Sequence, residues 1–276
     1  MFGSNYYCLV AGLREYTLDA EIKGFDAKEI IGEILDELSS RDAAAVRLLY
    51  NYYDCENIAA IKSSRGGFNE LGNFTREELE AELEEPTLLP AKIGQIIRAY
   101  STPESEDARL VDTSISFERS LFEAYYNECA ESKSRFLREW SQRDRNLRNV
   151  SAAITSRALS LPVEDAVVGQ DDVAEQLIRS SAADFGLRGE LPYLDSIMAS
   201  IGDQENLLEK ERKIDMVRWE QSDELSSTDY FNIDAVLAYL VKVNILARWV
   251  RLDATSGKAQ FAKMLGELSG KNMINK

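Results

Sequence analysis

Three groups of residues have types and spacings that could do chemistry. Asp171-Asp172 with Glu175 sets carboxylates at i, i+1 and i+4, partly on one helix face. Oxygen ligands in that pattern suit a hard cation such as magnesium. Ser256-Gly257-Lys258 has the form of the end of a phosphate-binding loop. Cys8, Cys55 and Cys129 supply thiols.

Each group meets a local objection. The phosphate loop needs a glycine five residues before Gly257, where Leu252 stands, and a hydroxyl after the lysine, where Ala259 stands. Acids in a first helical turn are favoured by the helix dipole, and Asp171 is a good N-cap. No second acidic cluster faces that trio in the sequence. The cysteines are odd in number, scattered and without a C-x-x-C pair. That suits reduced thiols buried as small hydrophobes in a reducing compartment. The chain has no histidine. It therefore lacks the commonest general base, metal ligand and nucleophile partner. The expectation is a protein without catalytic, cofactor-binding or metal-ligating residues, and not an enzyme.

Composition narrows the partners. Of the 276 residues, 45% are hydrophobic and 29% charged, enough for a core and a wettable surface. The net charge is −16 and the isoelectric point about 4.6. Such a chain opposes nucleic acid, whose phosphates need clustered Lys and Arg, and anionic lipid alike. A basic or neutral protein is the easier partner. No apolar run approaches the roughly 20 residues that span a bilayer, and no signal peptide is apparent.

The elements that would carry these residues read as helices. Residues 5–11 suit one short strand or an extended lead-in. Asp26 with Glu29 and Thr75 with Glu78 are capping-box pairs. A helix from Asp42 to Ser64 carries the stripe Val46, Leu49, Tyr50, Tyr53, Ile58, Ile61. Pro86 ends an acidic helix and Pro90 opens the next, to residue 101. Thr102 to Asp107 reads as a linker. One long helix is expected from Ser114 to Arg143, then one bearing Asn149. Asp171 caps a helix to Phe185, and Gly186 to Gly189 mark a boundary. Pro192 opens a short helix, and residues 203–221 form a charged one, in which Glu209 to Lys213 make i, i+4 pairs. A helix capped by Asp229 has a seam at Val236, Leu240, Val243, Ala247 and Val250. A last helix opens at Ser256. Trp140 continues an apolar stripe, whereas Trp219 and Trp249 sit among charges and could anchor a partner.

One phrase recurs through this helical chain. Asn57-Ile58, Asn149-Val150 and Asn244-Ile245 lie 92 and 95 residues apart, each followed by basic residues. The spacing is close to a third of the chain. A long period used three times suits a closed body rather than an open solenoid. The expected fold is all-α, three-lobed, with pseudo-threefold internal repeats and lobes at 1–102, 103–189 and 190–276. Asn57 and Asn244 fall on apolar faces, so their amides need partners, expected across a helix pair, where they would fix register.

Tyr53-Asp54-Cys55-Glu56-Asn57-Ile58 resembles the Asp-x-x-Asn-Ile phrase of the V-type and A-type ATPase subunit called d in eukaryotes and C in prokaryotes. Nearly the whole chain is similar to a bacterial family found beside V-type ATPase subunits. The shared marks include Asn5-Tyr6-Tyr7, Leu9-Val10-Ala11-Gly12-Leu13, Val168-Gly169 and Val173-Ala174-Glu175. Further marks are Asp184-Phe185-Gly186-Leu187, Glu190-Leu191-x-Tyr193-Leu194-Asp195, Lys213-Ile214-Asp215 and Arg248-Trp249-x-x-Leu252-Asp253. The resemblance implies an all-helical, three-lobed, non-catalytic socket. It would sit on the membrane rotor ring at the cytoplasmic face, receive the central shaft and couple the two during proton or sodium transport. It would be peripheral to the inner membrane through the complex. Asn146 and Val241 stand where the second and third repeats would need the aspartate, and no partner-contacting residue carries over. The alternatives are a helical adaptor or assembly factor of the same ATPase, or an all-helical metal-dependent enzyme.

Overall fold

The computed structural model describes residues 5–17, 24–202, 207–227 and 231–251 of the chain. Among them the regular structure is helical throughout. In chain order it comprises α1 (Tyr7–Gly12), α2 (Ala27–Glu37), α3 (Ser40–Lys62), α4 (Arg76–Glu84), α5 (Ala91–Ser101) and α6 (Glu106–Leu110). Then come α7 (Phe117–Ala130), α8 (Arg135–Ala158), α9 (Asp172–Arg179), α10 (Leu194–Gly202), α11 (Leu207–Ser226) and α12 (Ile233–Arg251). The expected helices from Asp229 and Ser256 start outside the described residues.

Local chemistry sets most helix starts. The Thr75 hydroxyl accepts from the Glu78 N–H while the Glu78 carboxylate accepts from the Thr75 N–H, so the expected capping box opens α4. Asp26 accepts from the N–H groups of Lys28 and Glu29, and Asp171 from Ala174, capping α2 and α9.

Four expectations are corrected. Residues 7–12 are a helical turn, not a strand. The expected linker holds Ser105, which caps α6 by accepting from the Ala108 N–H. The single helix expected from Ser114 to Arg143 is two. It breaks at 131–134, where the Ser134 hydroxyl accepts from Leu137 and starts α8 afresh. Finally, α9 stops at Arg179 rather than Phe185. There the Arg157 guanidinium donates to the carbonyls of Ser180 and Ala182 and lies over the Phe185 ring, 3.6 Å from its centroid. Carbonyls bonded to an arginine need no helical partner.

Two runs of chain share one order of elements, packed somewhat differently. In the first, α3 packs with α4 and α7, and α5 packs against α4 and α7. In the second, α8 packs with α9, α10 and α11, and α10 packs against α11. Both are a long helix, a short capped helix, another short helix and a return helix. The small α6 is added to the first run.

The apolar interior follows this pairing. A central cluster takes Val46, Leu49 and Tyr50 from α3, Phe136, Leu137 and Trp140 from α8, and the buried face of α12. Cys55, Ile58 and Ala59 of α3 enter a second cluster with α4, α5 and α7. Leu147, Val150 and Ala153 of α8 enter a third with α9, α10 and α11. Each long helix thus begins in the shared centre and ends in a cluster of its own. The clusters are not successive thirds of the chain. The boundary expected at 102 separates α5 from α7, which pack together, and α2 packs on α12 from the opposite end.

Candidate functional site

The buried asparagines define the site. Asn57 is 2% exposed on α3, and its Oδ1 accepts from the Asn69 N–H at 2.6 Å while its Nδ2 donates to the Asn69 carbonyl at 2.9 Å. Asn149 is 2% exposed on α8 and holds Val168 in the same way, at 2.9 and 2.8 Å. A carboxamide offers one acceptor and one donor side by side, which matches the N–H and C=O of one residue. The partner is thus the loop after the same helix, not the neighbouring helix that the sequence suggested. Each clamp fixes the chain shortly before the N-cap of the next helix, Thr75 or Asp171.

Surrounding residues complete each clamp differently. In the first, Asp54 accepts from Asn51 Nδ2 at 2.9 Å, Asn73 Nδ2 at 2.7 Å and the Phe74 N–H at 3.3 Å. Burial pushes the Asp54 carboxyl up to about 6, and the bonds from Asn73, Phe74 and Asn51 offset only part of that. Gly72 passes so close that a Cβ there would stand 2.5 Å from Asp54 Oδ1. In the second, Asn146 occupies the place of Asp54, buried, with no partner for its Oδ1 among the described residues. Gly169 turns there with φ +94°, and a Cβ would lie 3.0 Å from the Arg145 guanidinium. That guanidinium pairs with Asp171.

The third asparagine differs. Asn244 is 9% exposed on α12, and its side chain has the Tyr50 hydroxyl, not a loop backbone, as its hydrogen-bonding neighbour. It lines a cavity of about 550 Å³ where α3, α8, α11 and α12 meet.

The cavity wall carries a chain of ion pairs. Asp144 on α8 accepts from Arg148 Nε at 2.7 Å and from Arg218 Nε at 3.0 Å. Arg218 also donates to Asp215 at 3.0 Å, and Asp215 accepts from Arg248 at 2.7 Å and from the Trp249 indole at 2.9 Å. Arg248 pairs with Glu211 as well. Burial by itself raises Asp144, but Arg148 and Arg218 outweigh it and hold the carboxyl below its usual range. The chain ties α8, α11 and α12 together. Sequence reading missed it, because its members lie up to 104 positions apart with no local pattern.

The other candidates resolve into structural parts. Asp171 is an N-cap and an ion-pair partner, and Glu175 pairs with Arg179. Glu211 reaches across to α12 rather than along its own helix. Trp140 is core, as expected. Trp219 and Trp249 pack on the central cluster, so neither projects as a free anchor. Cys55 and Cys129 are buried, but Cys8 is exposed. Ser256-Gly257-Lys258 lies outside the described residues.

Fold and site together define an all-helical scaffold in which long helices hold their own loops through buried asparagines. The chain belongs to the DUF2764 family, described as proteins of unknown function, whose model matches residues 3–271. Comparison with curated proteins and with solved structures gives no match.

Proposed function

We propose that the chain is a non-catalytic coupling subunit of a V/A-type ATPase, a C/d-like socket between the membrane rotor ring and the central shaft. The observation that carries this reading is the repeated clamp. Asn57 and Asn149, 92 residues apart, grip the backbone of the loops after their helices, and Asn244 follows at nearly the same spacing. This internal repetition, present twice as a clamp and a third time as spacing alone, supports the repeated helical plan that the resemblance implies.

A socket that passes torque works by shape and stiffness. Loops fixed by buried bidentate amides resist displacement, and an ion-paired wall ties three helices around one cavity. No described helix is long and apolar enough to cross a membrane, so attachment would run through the protein ring.

The test is a pull-down of the purified chain with shaft subunits and with the detergent-solubilised ring, separately and together. Binding to both is expected. Binding to neither, with an ATPase that is complete and coupled in the absence of the chain, would sink the rotor reading in favour of an assembly factor.

A further inference from the structure

We propose that the chain binds a small aliphatic polyamine in a second cavity, of about 580 Å³, between α8, α11 and the stretch that leads into α10. This does not depend on the ATPase reading. A group of polar atoms without protein partners carries it. Asn146 Oδ1 on α8, Gln221 Oε1 on α11 and the Tyr193 hydroxyl just before α10 are buried atoms of residues that line this cavity, and none has a hydrogen-bond partner among the described residues. Asn146 as a whole is 7% exposed. Leaving one buried polar atom unsatisfied is costly, and native structures do so rarely. Three around one cavity point to a ligand that supplies the missing partners. The first clamp gives the contrast. Asp54 stands three residues before Asn57 and spends its carboxylate on Asn51, Asn73 and Phe74. Asn146 stands three residues before Asn149, but its side-chain oxygen takes nothing from the loop that Asn149 holds.

The chemistry of the wall selects the ligand. Carboxamide oxygens only accept, so the ligand must present donors. Burial raises the Tyr193 phenol above its usual range, which keeps it a neutral hydroxyl. Glu190, Glu220 and Glu224 add three carboxylates to the same wall, and its one guanidinium, that of Arg143, is taken by Glu224. That excess of negative charge favours a cation and opposes an anion. Leu191 and Val217 supply buried apolar surface for methylenes. Ammonium groups on a methylene chain meet all of these demands, with three N–H donors at each primary end.

Isothermal titration calorimetry of the full chain tests this, with spermidine as the probe and hexanediol as its uncharged counterpart, at physiological salt. One spermidine per chain with a Kd below about 1 mM is expected, and no heat from hexanediol. Tyr193→Phe and Gln221→Ala should each weaken binding about tenfold, since each removes an acceptor for a charged donor. Glu104→Gln, at an exposed acid between α5 and α6, should leave the affinity within about twofold. Without ligand, Tyr193→Phe should keep the parent's urea midpoint, because the hydroxyl that it removes has no partner in the protein. A lowered midpoint with unchanged affinity would make that hydroxyl structural and overturn the proposal. Spermidine held equally by the parent and both cavity variants would be diffuse attraction to a chain of net charge −16, and overturns it. Hexanediol bound as tightly as spermidine overturns the polyamine class, since charge would then play no part. No heat from spermidine means that water fills the cavity, and overturns it as well. Should Gln221→Ala not fold, Tyr193→Phe, which loses a single oxygen, carries the test.

Discussion

An asparagine inside a helix is intrinsically unfavourable, so Asn57 and Asn149 must be compensated by what they bind. Replacing either by leucine keeps the branched side-chain shape but strands the N–H and C=O of a loop residue. Asn57→Leu and Asn149→Leu should each cost about 1–3 kcal/mol, read as a lower urea midpoint. No change at either site would mean that water replaces the amide at little cost. Gly72 is constrained by the same clamp. In Gly72→Ala the new methyl would meet the Asp54 carboxylate, which three bonds hold in place, so a loss of about 1–3 kcal/mol is expected in the same assay. Asp54 adds a pH dependence of definite sign. Its carboxyl is raised to about 6 in the folded chain, so the folded state holds the proton more tightly than the unfolded state. That contribution is present below the unfolded value and is lost as pH rises through about 6. Between pH 5 and pH 8 the parent should lose about 1–2 kcal/mol more than Asp54→Asn, which cannot titrate. Equal losses in the two proteins would show that Asp54 ionises normally.

Helices in this chain are joined by charge where apolar packing is interrupted. Asp144 of α8 is 5% exposed and Asp215 of α11 fully buried, and Arg218 bridges the two. A buried pair of this kind adds little net stability when intact but is costly to break, because the surviving charge stays desolvated. Asp144→Ala would leave Arg148 and Arg218 each short of a carboxylate and the Tyr126 hydroxyl without its acceptor. The expected loss is about 3–5 kcal/mol in denaturant unfolding. A loss under about 1 kcal/mol would place the network in the class of solvated surface pairs. Since the network spans α8, α11 and α12, the damage should appear as early exchange of amides in all three helices rather than in α8 alone.

Across the whole molecule, a net charge of −16 governs how partners arrive more than how they stay. Association with shaft or ring should slow about tenfold as salt rises from low to physiological strength, where the Debye length is about 8 Å. Dissociation should change by less than about twofold, because holding depends on shape and apolar contact. Surface plasmon resonance at two salt concentrations reads both rates. A salt effect confined to dissociation would locate the charges inside the interface instead of around it.

Helix and cap chemistry is short-ranged, and so the sequence by itself determined it. Thr75 and Glu78 are three residues apart, and their capping box needs nothing beyond the turn that contains them. The apolar stripe of α3 and the burial of its asparagine follow from a 3.6-residue period. The spacing of Asn57, Asn149 and Asn244 was equally legible. What those amides grip was not. The gripped residues follow at 12 and 19 positions because α8 runs further past its asparagine than α3 does and because the gripped residue lies later in the second loop, so no fixed spacing announces them. The end of α9 depends on Arg157, more than twenty positions upstream of the carbonyls it binds. The break before α8 turns on residues 131–134, two of them serines, where helical periodicity on both sides would allow a continuous rod. The Asp144, Arg218, Asp215 and Arg248 chain exists only because three distant helices converge. Local propensity specifies elements, but long-range hydrogen bonds and ion pairs form only after packing has brought their partners within about 3 Å, and that distance is a property of the tertiary structure alone.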